Sequence, residues 1–282
     1  MRADLRAPAH QEGENGYDPC VLLAVARGAV VTRERVRVLN GHFDPLTLAE
    51  VVDWAGAWIE EGRQGYLCTV NVAILMMMRR DPRLQRIVDR AALVVADGRP
   101  IVWTSRLGKS RLPERVAGVD LIGALAGRAA RKGFGIYLLG ARQPVVEAAA
   151  RRLLAEHPGL SIRGVADGYF GTAEAVERAH AIRRSGAQVL LVGMGVPRQE
   201  LFLEEQWTEL GVNLAIGVGG SFEVLAGIRR RAPHWCQQTG LEWFWRLLQE
   251  PRRLGPRYLD TNSKFIGHVL REIIATRILK TT

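Results

Sequence analysis

The sequence predicts an α/β protein with a Rossmann-like, mostly parallel sheet and helices on both faces. Its candidate strands are apolar without polar alternation, as expected for strands that are covered on both sides. Helical patterns of roughly 10 to 15 residues alternate with these strands, which is typical of βαβ units. Three strands end in glycine-containing loops directly before a helix, and this predicts a ligand crevice at the carboxyl edge of the sheet.

The predicted strands are short apolar runs, several of which stop at a glycine or at the Asp97-Gly98 pair. In chain order they cover residues 66–70, 93–96, 135–139, 160–165, 188–192 and 214–218. A run of this length that is bounded by turn residues indicates a buried strand.

The predicted helices have recognisable start and stop residues. Thr47 is expected to cap a helix over residues 46–61, and Thr172 is expected to cap another. Pro144 and Pro197 are each placed to open a helix, because a missing N–H costs nothing in the first turn. Gly211 is expected to close the second of these. The methionines at 76–78 are interpreted as core filler.

Composition limits the class of protein. The chain has 282 residues, of which 48% are hydrophobic and 24% charged, values that exclude a disordered or fibrous chain. No apolar stretch reaches the roughly 18 residues of a membrane span, and no convincing secretory signal is present. Three distant cysteines indicate neither a disulfide framework nor a zinc site. We therefore expect a cytoplasmic protein with free thiols.

The charge is concentrated at the end of the chain. The formal net charge is +10, and residues 229–282 hold eleven Lys and Arg against four Asp and Glu. We divide the chain into a loosely ordered extension (1–32), an α/β core (33–228) and a basic, aromatic, helical segment (229–282), here called the C-terminal appendage. Basic and aromatic residues together suit a phosphate-rich partner: nucleic acid, a lipid headgroup surface or a diphosphate substrate.

The glycine loops exclude two common nucleotide-binding motifs. Neither the loop at 193–198 nor the loop at 217–222 completes G-x-G-x-x-G, and no P-loop pattern occurs. An Asp-x-Asp pair, the usual metal holder in sugar-nucleotide enzymes, is also missing. Arginines and backbone amides would then have to neutralise a leaving diphosphate.

Nine sequence blocks in register resemble the WecG/TagA/CpsF glycosyltransferases, glycosyltransferase family 26. The resemblance covers roughly residues 33 to 260. The blocks are T-V-N (69–71), A-D-G-R-P-I-V (96–102), E-R-V-A-G (114–118), Y-L-L-G (137–140), D-G-Y-F (167–170), V-G-M-G-V-P-R-Q-E (192–200), R-A-P (231–233), G-L-E-W (240–243) and P-R-R to R-Y (251–258).

The resemblance implies an enzyme that transfers a sugar from a UDP donor with inversion and without a metal or other cofactor. The implied acceptor is an undecaprenyl-diphosphate-linked saccharide in cell-surface polysaccharide synthesis, and the transferred sugar is a hexose or N-acetylhexosamine, such as N-acetylmannosamine or glucose. The appendage would close over the site at the anionic cytoplasmic face of the inner membrane. The protein would then be peripheral, and whether it forms a homo-oligomer stays open.

The resemblance also assigns roles to residues. Asp97 is the implied catalytic base, and Arg115 is placed with it in the catalytic group. The residues implied to bind substrate are Thr69, Asn71, Gln199, Gly140, Gly193, Gly195, Pro197, Gly219, Glu223 and Arg231. Glu223 stands where the family often has Asp, and its side chain is one methylene longer at this position of the implied donor pocket.

Each assignment has a structural alternative. Asp97 could form a turn and bond local amides, and Arg115 could pair with Glu114 or a nearby acid instead of holding a phosphate. Thr69 and Asn71, two residues apart, should share one face and could bond sugar hydroxyls or satisfy a buried turn. Gln199 could contact the donor or cap its own helix.

Two other classes of function compete with sugar transfer. A pI of about 10.2 allows nucleic-acid binding, although no helix-turn-helix, zinc finger or RNA-recognition signature occurs. A nicotinamide-dependent oxidoreductase is disfavoured because the dinucleotide fingerprint is missing.

Overall fold

A computed structural model describes residues 21–26 and 29–278. Its centre is a six-stranded, all-parallel sheet with the spatial order β6-β5-β10-β9-β7-β8. The strands are β5 (Gly65–Val70), β6 (Leu93–Ala96), β7 (Gly135–Gly140), β8 (Ser161–Ala166), β9 (Val189–Gly193) and β10 (Leu214–Gly217). The predicted fold class is confirmed, and each predicted strand is present with ends that differ by at most one residue.

Two short antiparallel pairs precede the sheet. They are β1 (Val21–Ala26) with β2 (Ala29–Glu34), and β3 (Val36–Val38) with β4 (Gly41–Phe43). The first pair falls in the predicted extension, of which residues 1–20 and 27–28 lie outside the described residues.

Helices lie on both faces of the sheet. They are α1 (Leu48–Glu60), α2 (Val72–Arg80), α3 (Pro82–Asp89), α4 (Arg99–Ser105), α5 (Gly118–Lys132), α6 (Gln143–Glu156), α7 (Thr172–Arg184), α8 (Arg198–Leu210), α9 (Ser221–Leu225), α10 (His234–Gln238), α11 (Glu242–Gln249) and α12 (Pro251–Ile278). One face packs against α1, α5 and α6, and the other packs against α2 to α4 and α7 to α8. Burial on both faces explains why the strands lack polar alternation.

Local sequence signals account for several helix ends. Thr47 forms a capping box with Glu50, whose backbone N–H lies 3.3 Å from the Thr47 hydroxyl oxygen. Pro144 lies in the first turn of α6, and Gly211 ends α8 in the left-handed conformation. The cap expected at Thr172 is wrong, because Gly171 is the N-cap and Thr172 is the first helical residue.

The described part of the C-terminal appendage, residues 229–278, contains the helices α10, α11 and α12, which are joined by short non-helical segments. Its helix α12 packs along α2, and Phe265 of α12 is buried in the same hydrophobic cluster as residues of α2. Among the described residues, no helix combines the length and the apolar character needed to cross a bilayer. This packing brings the appendage over the carboxyl edge of β5 and β6, where the main cleft lies.

Candidate active site

A cleft of about 610 Å³ lies at the carboxyl edge of the sheet, beneath α11 and α12. Its position agrees with the predicted crevice, because β5, β6, β7, β9 and β10 all end here. The predicted site residues that line it are Asn71, Asp97, Arg115, Gly193, Gly195, Gly219 and Glu223. Thr69, Gly140, Pro197, Gln199 and Arg231 are not among its lining residues.

Asp97 lies at the end of β6 and lines the cleft. Its backbone N–H donates to the carbonyl of Val70 at 2.9 Å, which fixes the residue against the end of β5. Within the described part of the chain, its carboxylate has neither a hydrogen bond to a local amide nor an ion pair. The alternative of a self-bonded turn is therefore not what the structure contains.

The surroundings of Asp97 raise the pKa of its carboxyl group. Burial is the main reason that the pKa of this carboxyl lies above its ordinary value of 3.8. Glu242 and Asp120 raise it further, whereas Arg246 and Arg115 lower it. A carboxylate with a raised pKa is a stronger base than a free aspartate.

Arg115 connects the core to the appendage. It is ion-paired with Glu242 of α11 and lies 3.4 Å from Asp120 of α5. Glu114, the partner considered from the sequence, instead accepts a hydrogen bond from the backbone N–H of Leu48 at 2.6 Å. The ion-pair alternative for Arg115 is thus present, with partners that are distant in sequence.

Arg231 does not reach the cleft. It pairs with Asp120 on the outer side of α5 and lines a second pocket with Arg229 and Arg230. The structure thus places Arg231 outside the lining of the cleft, with its guanidinium held by Asp120, and its contact with substrate stays a prediction.

Five arginines line the cleft, and they differ in how their charge is used. Arg115 and Arg229 are ion-paired, and Arg198 donates to the carbonyl of Gly168 at 3.0 Å. Arg99 and Arg246 have no ion-pair partner within the described residues, and the Nε of Arg99 is buried without a hydrogen bond. Sequence reasoning did not single out these two residues, although Arg99 belongs to the A-D-G-R-P block and Arg246 to the basic appendage.

Thr69 and Asn71 are used differently, contrary to the expectation of a shared face. Asn71 lines the cleft and caps α2, its side-chain oxygen accepting from the N–H of Ile74 at 3.1 Å. Thr69 is 8% exposed and donates to the carbonyl of Gly217 at 2.9 Å, linking β5 to β10. The strand β5, in which successive side chains point to opposite faces, ends at Val70. The side-chain direction of Asn71 is therefore set by its role as the cap of α2 and not by the strand.

Gln199 supports the site from behind. Only 2% of the residue is exposed, and its side-chain oxygen accepts from the N–H groups of Gly195 at 3.2 Å and Gly219 at 3.1 Å. Its amide nitrogen donates to Glu200 at 2.8 Å. Gln199 therefore links two loops that line the cleft. Its side chain does not face the cleft, whereas a contact with the sugar donor would require it to do so.

Glu200, the next residue on α8, is buried beside Gln199. One carboxyl oxygen of Glu200 has no hydrogen-bond partner, and burial raises its pKa to about 7. Its position next to Gln199 in the motif is the one sequence feature that points to Glu200. A glutamate in a helix is usually exposed, so the sequence does not predict that this one is buried.

Gly140 and Pro197 are structural in this arrangement. Pro197 is the N-cap of α8. Gly140 has a φ of 144°, and a Cβ added to it would overlap the carbonyl group of Gly193 on the neighbouring strand. Only glycine permits this approach of the β7 and β9 ends, whose loops continue towards the cleft.

Replacement of Gly140 by Ala is therefore expected to destabilise the fold by about 2 kcal/mol or more, through strain and overlap. Urea unfolding of wild type and variant measures this. Gly123→Ala is the matched control: Gly123 lies in α5 with no atom near its missing Cβ, so the change should stabilise by up to about 1 kcal/mol. Equal stability of wild type and Gly140→Ala would contradict the steric argument.

The described side chains contain no group of three His, Cys, Asp or Glu residues placed to hold a metal ion. The polar groups that converge on the cleft include one carboxylate without an ion pair among the residues described, three glutamates that are paired with arginines, several guanidinium groups, and the glycine loops of β9 and β10. Such a set suits an anionic leaving group and a substrate with a hydroxyl to deprotonate.

The fold and the cleft define an α/β protein with a candidate active site at the carboxyl edge of a parallel sheet. The chain belongs to the glycosyl transferase WecG/TagA/CpsF family, whose model matches residues 36–278. It is thus a glycosyltransferase, and the nucleic-acid-binding and oxidoreductase hypotheses are set aside.

Two Bacillus enzymes are similar to the chain. An N-acetylglucosaminyldiphosphoundecaprenol N-acetyl-beta-D-mannosaminyltransferase of Bacillus subtilis strain 168 is 33% identical over 196 residues, 70% of this chain and 76% of that protein. A protein of the same name from Bacillus spizizenii strain W23 is 31% identical over 214 residues, 76% of this chain and 82% of that protein.

Proposed function

We propose that the protein transfers a hexose or N-acetylhexosamine from a UDP-sugar to an undecaprenyl-diphosphate-linked saccharide, with inversion and without a metal. The observation that carries this proposal is the state of the acids in the cleft. Glu223, Glu242 and Glu250 are ion-paired with arginines, whereas Asp97 has no ion pair among the described residues. A single displacement requires one carboxylate that is free to act as the base.

In the proposed reaction, Asp97 accepts the proton of an acceptor hydroxyl as that oxygen attacks the anomeric carbon. The bond from that carbon to the UDP oxygen breaks, and UDP leaves with the electron pair. No second carboxylate is needed, since inversion proceeds without a covalent intermediate. The raised pKa of Asp97 supports this role because it strengthens the base.

The leaving diphosphate is proposed to be neutralised by arginines and backbone amides. Arg99 and Arg246 line the cleft without an ion-pair partner in the described chain, so their charge is available to an anion. The glycine loops after β9 and β10 are proposed to contact the nucleotide, and the position of Gly193, Gly195 and Gly219 along the same cleft supports this. Guanidinium groups hold phosphates through paired N–H donors.

The names of the relatives favour a particular pair of substrates. Both are described as adding an N-acetyl-β-D-mannosaminyl group to N-acetylglucosaminyldiphosphoundecaprenol. We propose the same type of acceptor here, and N-acetylmannosamine as the first donor sugar to test, ahead of glucose.

The test is incubation with a panel of UDP-sugars and a diphosphate-linked N-acetylglucosamine acceptor, followed by mass detection of the product. We expect one added sugar, release of UDP, a β linkage by NMR and unchanged rates with EDTA. A rate that EDTA abolishes and Mg²⁺ restores would overturn the metal-free mechanism, and an α linkage from an α-configured donor would overturn inversion.

We further propose that the appendage docks the protein on an anionic membrane. Phe244 and Leu248 are exposed one turn apart on α11, within the basic part of the chain. Trp243 is also exposed, whereas Trp245 and Leu247 are partly buried. An apolar face with basic neighbours suits reversible, salt-sensitive binding at an interface.

Sedimentation with vesicles that contain anionic lipid tests this docking. We expect binding at low salt, weaker binding at high salt, and little binding to neutral vesicles. The variant Phe244→Ser with Leu248→Ser should bind several-fold less, whereas Leu154→Ser, at an exposed apolar position on α6, should bind as wild type. Salt-independent binding would contradict the electrostatic part of the proposal.

A further inference from the structure

The cleft has two chemically different halves, which follow from the order of the strands. The glycine loops of β7, β9 and β10 lie towards one side of the sheet, and the ends of β5 and β6, with Asn71 and Asp97, lie towards the other. The appendage helix α12 packs against α2 on the side of Asp97. The wall near the proposed base is thus built by α2 and α12.

One stripe of α12 lines this half of the cleft. Its residues recur at the spacing of a single helix face, and four of the five are apolar or aromatic: Leu254, Tyr258, Asn262, Phe265 and Ile266. Twelve residues of helix span about 18 Å, so the stripe is long and narrow. Val72 and Ile74 of α2 line the same cleft. The cleft therefore continues from Asp97 into an apolar groove between α2 and α12.

The groove has an open end. Leu254 and Phe265 are buried, whereas Ile266, at the far end of the stripe, is 57% exposed. Beyond it on α12, Leu270 and Ile274 are exposed but do not line the cleft. A ligand that runs along the groove would thus leave the cleft beside an apolar surface.

A nucleotide or a sugar does not account for these walls. Both present polar edges that would lose their bonds to water against Leu, Phe and Ile side chains. A ligand with a polar head near Asp97 and an apolar tail along α12 matches both the polar half of the cleft and the apolar groove. Near the junction, the buried Nε of Arg99 has no hydrogen-bond partner, so a donor is available to an anionic group there.

We propose that the groove between α2 and α12 binds the first isoprene units of the acceptor's polyprenyl chain, with the acceptor diphosphate at Arg99. This inference rests on the proposed function and adds to it a lipid subsite in the protein itself. The competing view is that the whole prenyl chain stays in the bilayer and that the protein contacts only the saccharide and the diphosphate.

The experiment uses two water-soluble acceptors without vesicles or detergent, so that bilayer effects are removed. N-acetylglucosamine diphosphate is joined to a methyl group in one and to a farnesyl group in the other. For the wild type, we expect kcat/KM to be at least about tenfold higher with the farnesyl acceptor, because burial of a few methylene-sized groups gives that gain. Each enzyme is described by this farnesyl-to-methyl ratio.

Two variants of the full chain locate the effect. Ile266→Ser, at the open end of the groove, should bring the ratio down several-fold towards one. Leu270→Ser is the matched control, since Leu270 is 54% exposed on the same helix but does not line the cleft, and its ratio should remain that of the wild type. Ile266→Trp keeps the position apolar but narrows the groove, and it should also lower the ratio.

The outcomes separate the two proposals. Transfer to both acceptors with equal kcat/KM would overturn the prenyl subsite and leave the proposed function standing. A fall in the ratio that is the same for Ile266→Ser and Leu270→Ser would also overturn it. Failure of the wild type to use either acceptor with any UDP-sugar would overturn the proposed function, and the subsite with it.

Discussion

Asp97→Asn is expected to lower kcat by about 10²- to 10⁴-fold, the range that a positioned general base contributes. Asparagine keeps the shape of the side chain but cannot accept the acceptor proton. The carboxylate has no hydrogen bond or ion pair in the described structure, so the change breaks no structural contact. Stability and UDP affinity should therefore remain close to those of the wild type.

Single-turnover rates and calorimetric UDP titration measure these two effects. Asp53→Asn is a matched control, because Asp53 is an exposed acid that forms a surface ion pair with Arg128 and does not line the cleft. The control should keep the wild-type rate. Turnover of Asp97→Asn at the wild-type rate would remove Asp97 from the role of base.

The pH profile of the wild type gives a second measure of the same group. In the proposed role of base, Asp97 would have to be ionised, and its pKa lies above 3.8 because of burial. The acidic limb of kcat/KM should therefore lie at a higher pH than an ordinary aspartate would give. An acidic limb at or below the ordinary value would show that burial does not control the base.

The fold could be predicted closely because its signals are local. Apolar runs such as 93–96 and 214–218 mark strands that are buried on both faces, and their ends are marked by polar or glycine residues. A residue directly after a parallel strand must lie at the carboxyl edge of the sheet. Asn71 and Asp97 directly follow β5 and β6, Gly219 lies two residues after β10, and all three line the cleft.

The rest of the site depends on pairings that local sequence does not contain. Arg115 and Glu242 are 127 residues apart, and nothing in either segment identifies the other. Thr69 and Gln199 belong to the right motifs, but their side chains point into the structure and not into the cleft. Motif membership thus predicted proximity to the site, whereas the direction of a side chain required the packed structure.

The buried acid next to Gln199 gives the second large effect. The pKa of Glu200 is raised from 4.5 to about 7, mainly by burial. Between these two pH values the folded protein holds a proton that the unfolded chain releases, so stability falls as pH rises through the window. A shift of this size corresponds to about 3 kcal/mol between pH 4.5 and pH 7, and the loss is complete above pH 7.

Tyr66 and Cys68 of β5 are the titratable groups that interact with Glu200, and burial raises the pKa of both, so they stay neutral in this range. Gln199 donates to Glu200 at 2.8 Å and is the only partner among the described residues that lowers its pKa through a side chain. The slope of stability against pH should therefore belong to Glu200 itself.

Glu200→Gln should remove that slope. Glutamine can still accept the hydrogen bond from Gln199, but it never carries a charge. Between pH 5 and pH 8, the free energy of unfolding of the variant should therefore fall by about 3 kcal/mol less than that of the wild type. Urea unfolding at pH 5, 6, 7 and 8 measures this. Glu205→Gln, at an exposed position on the same helix, should keep the wild-type slope. If Glu200→Gln and wild type lose stability in parallel, the proton is held elsewhere, and Glu200 is already ionised in the folded protein.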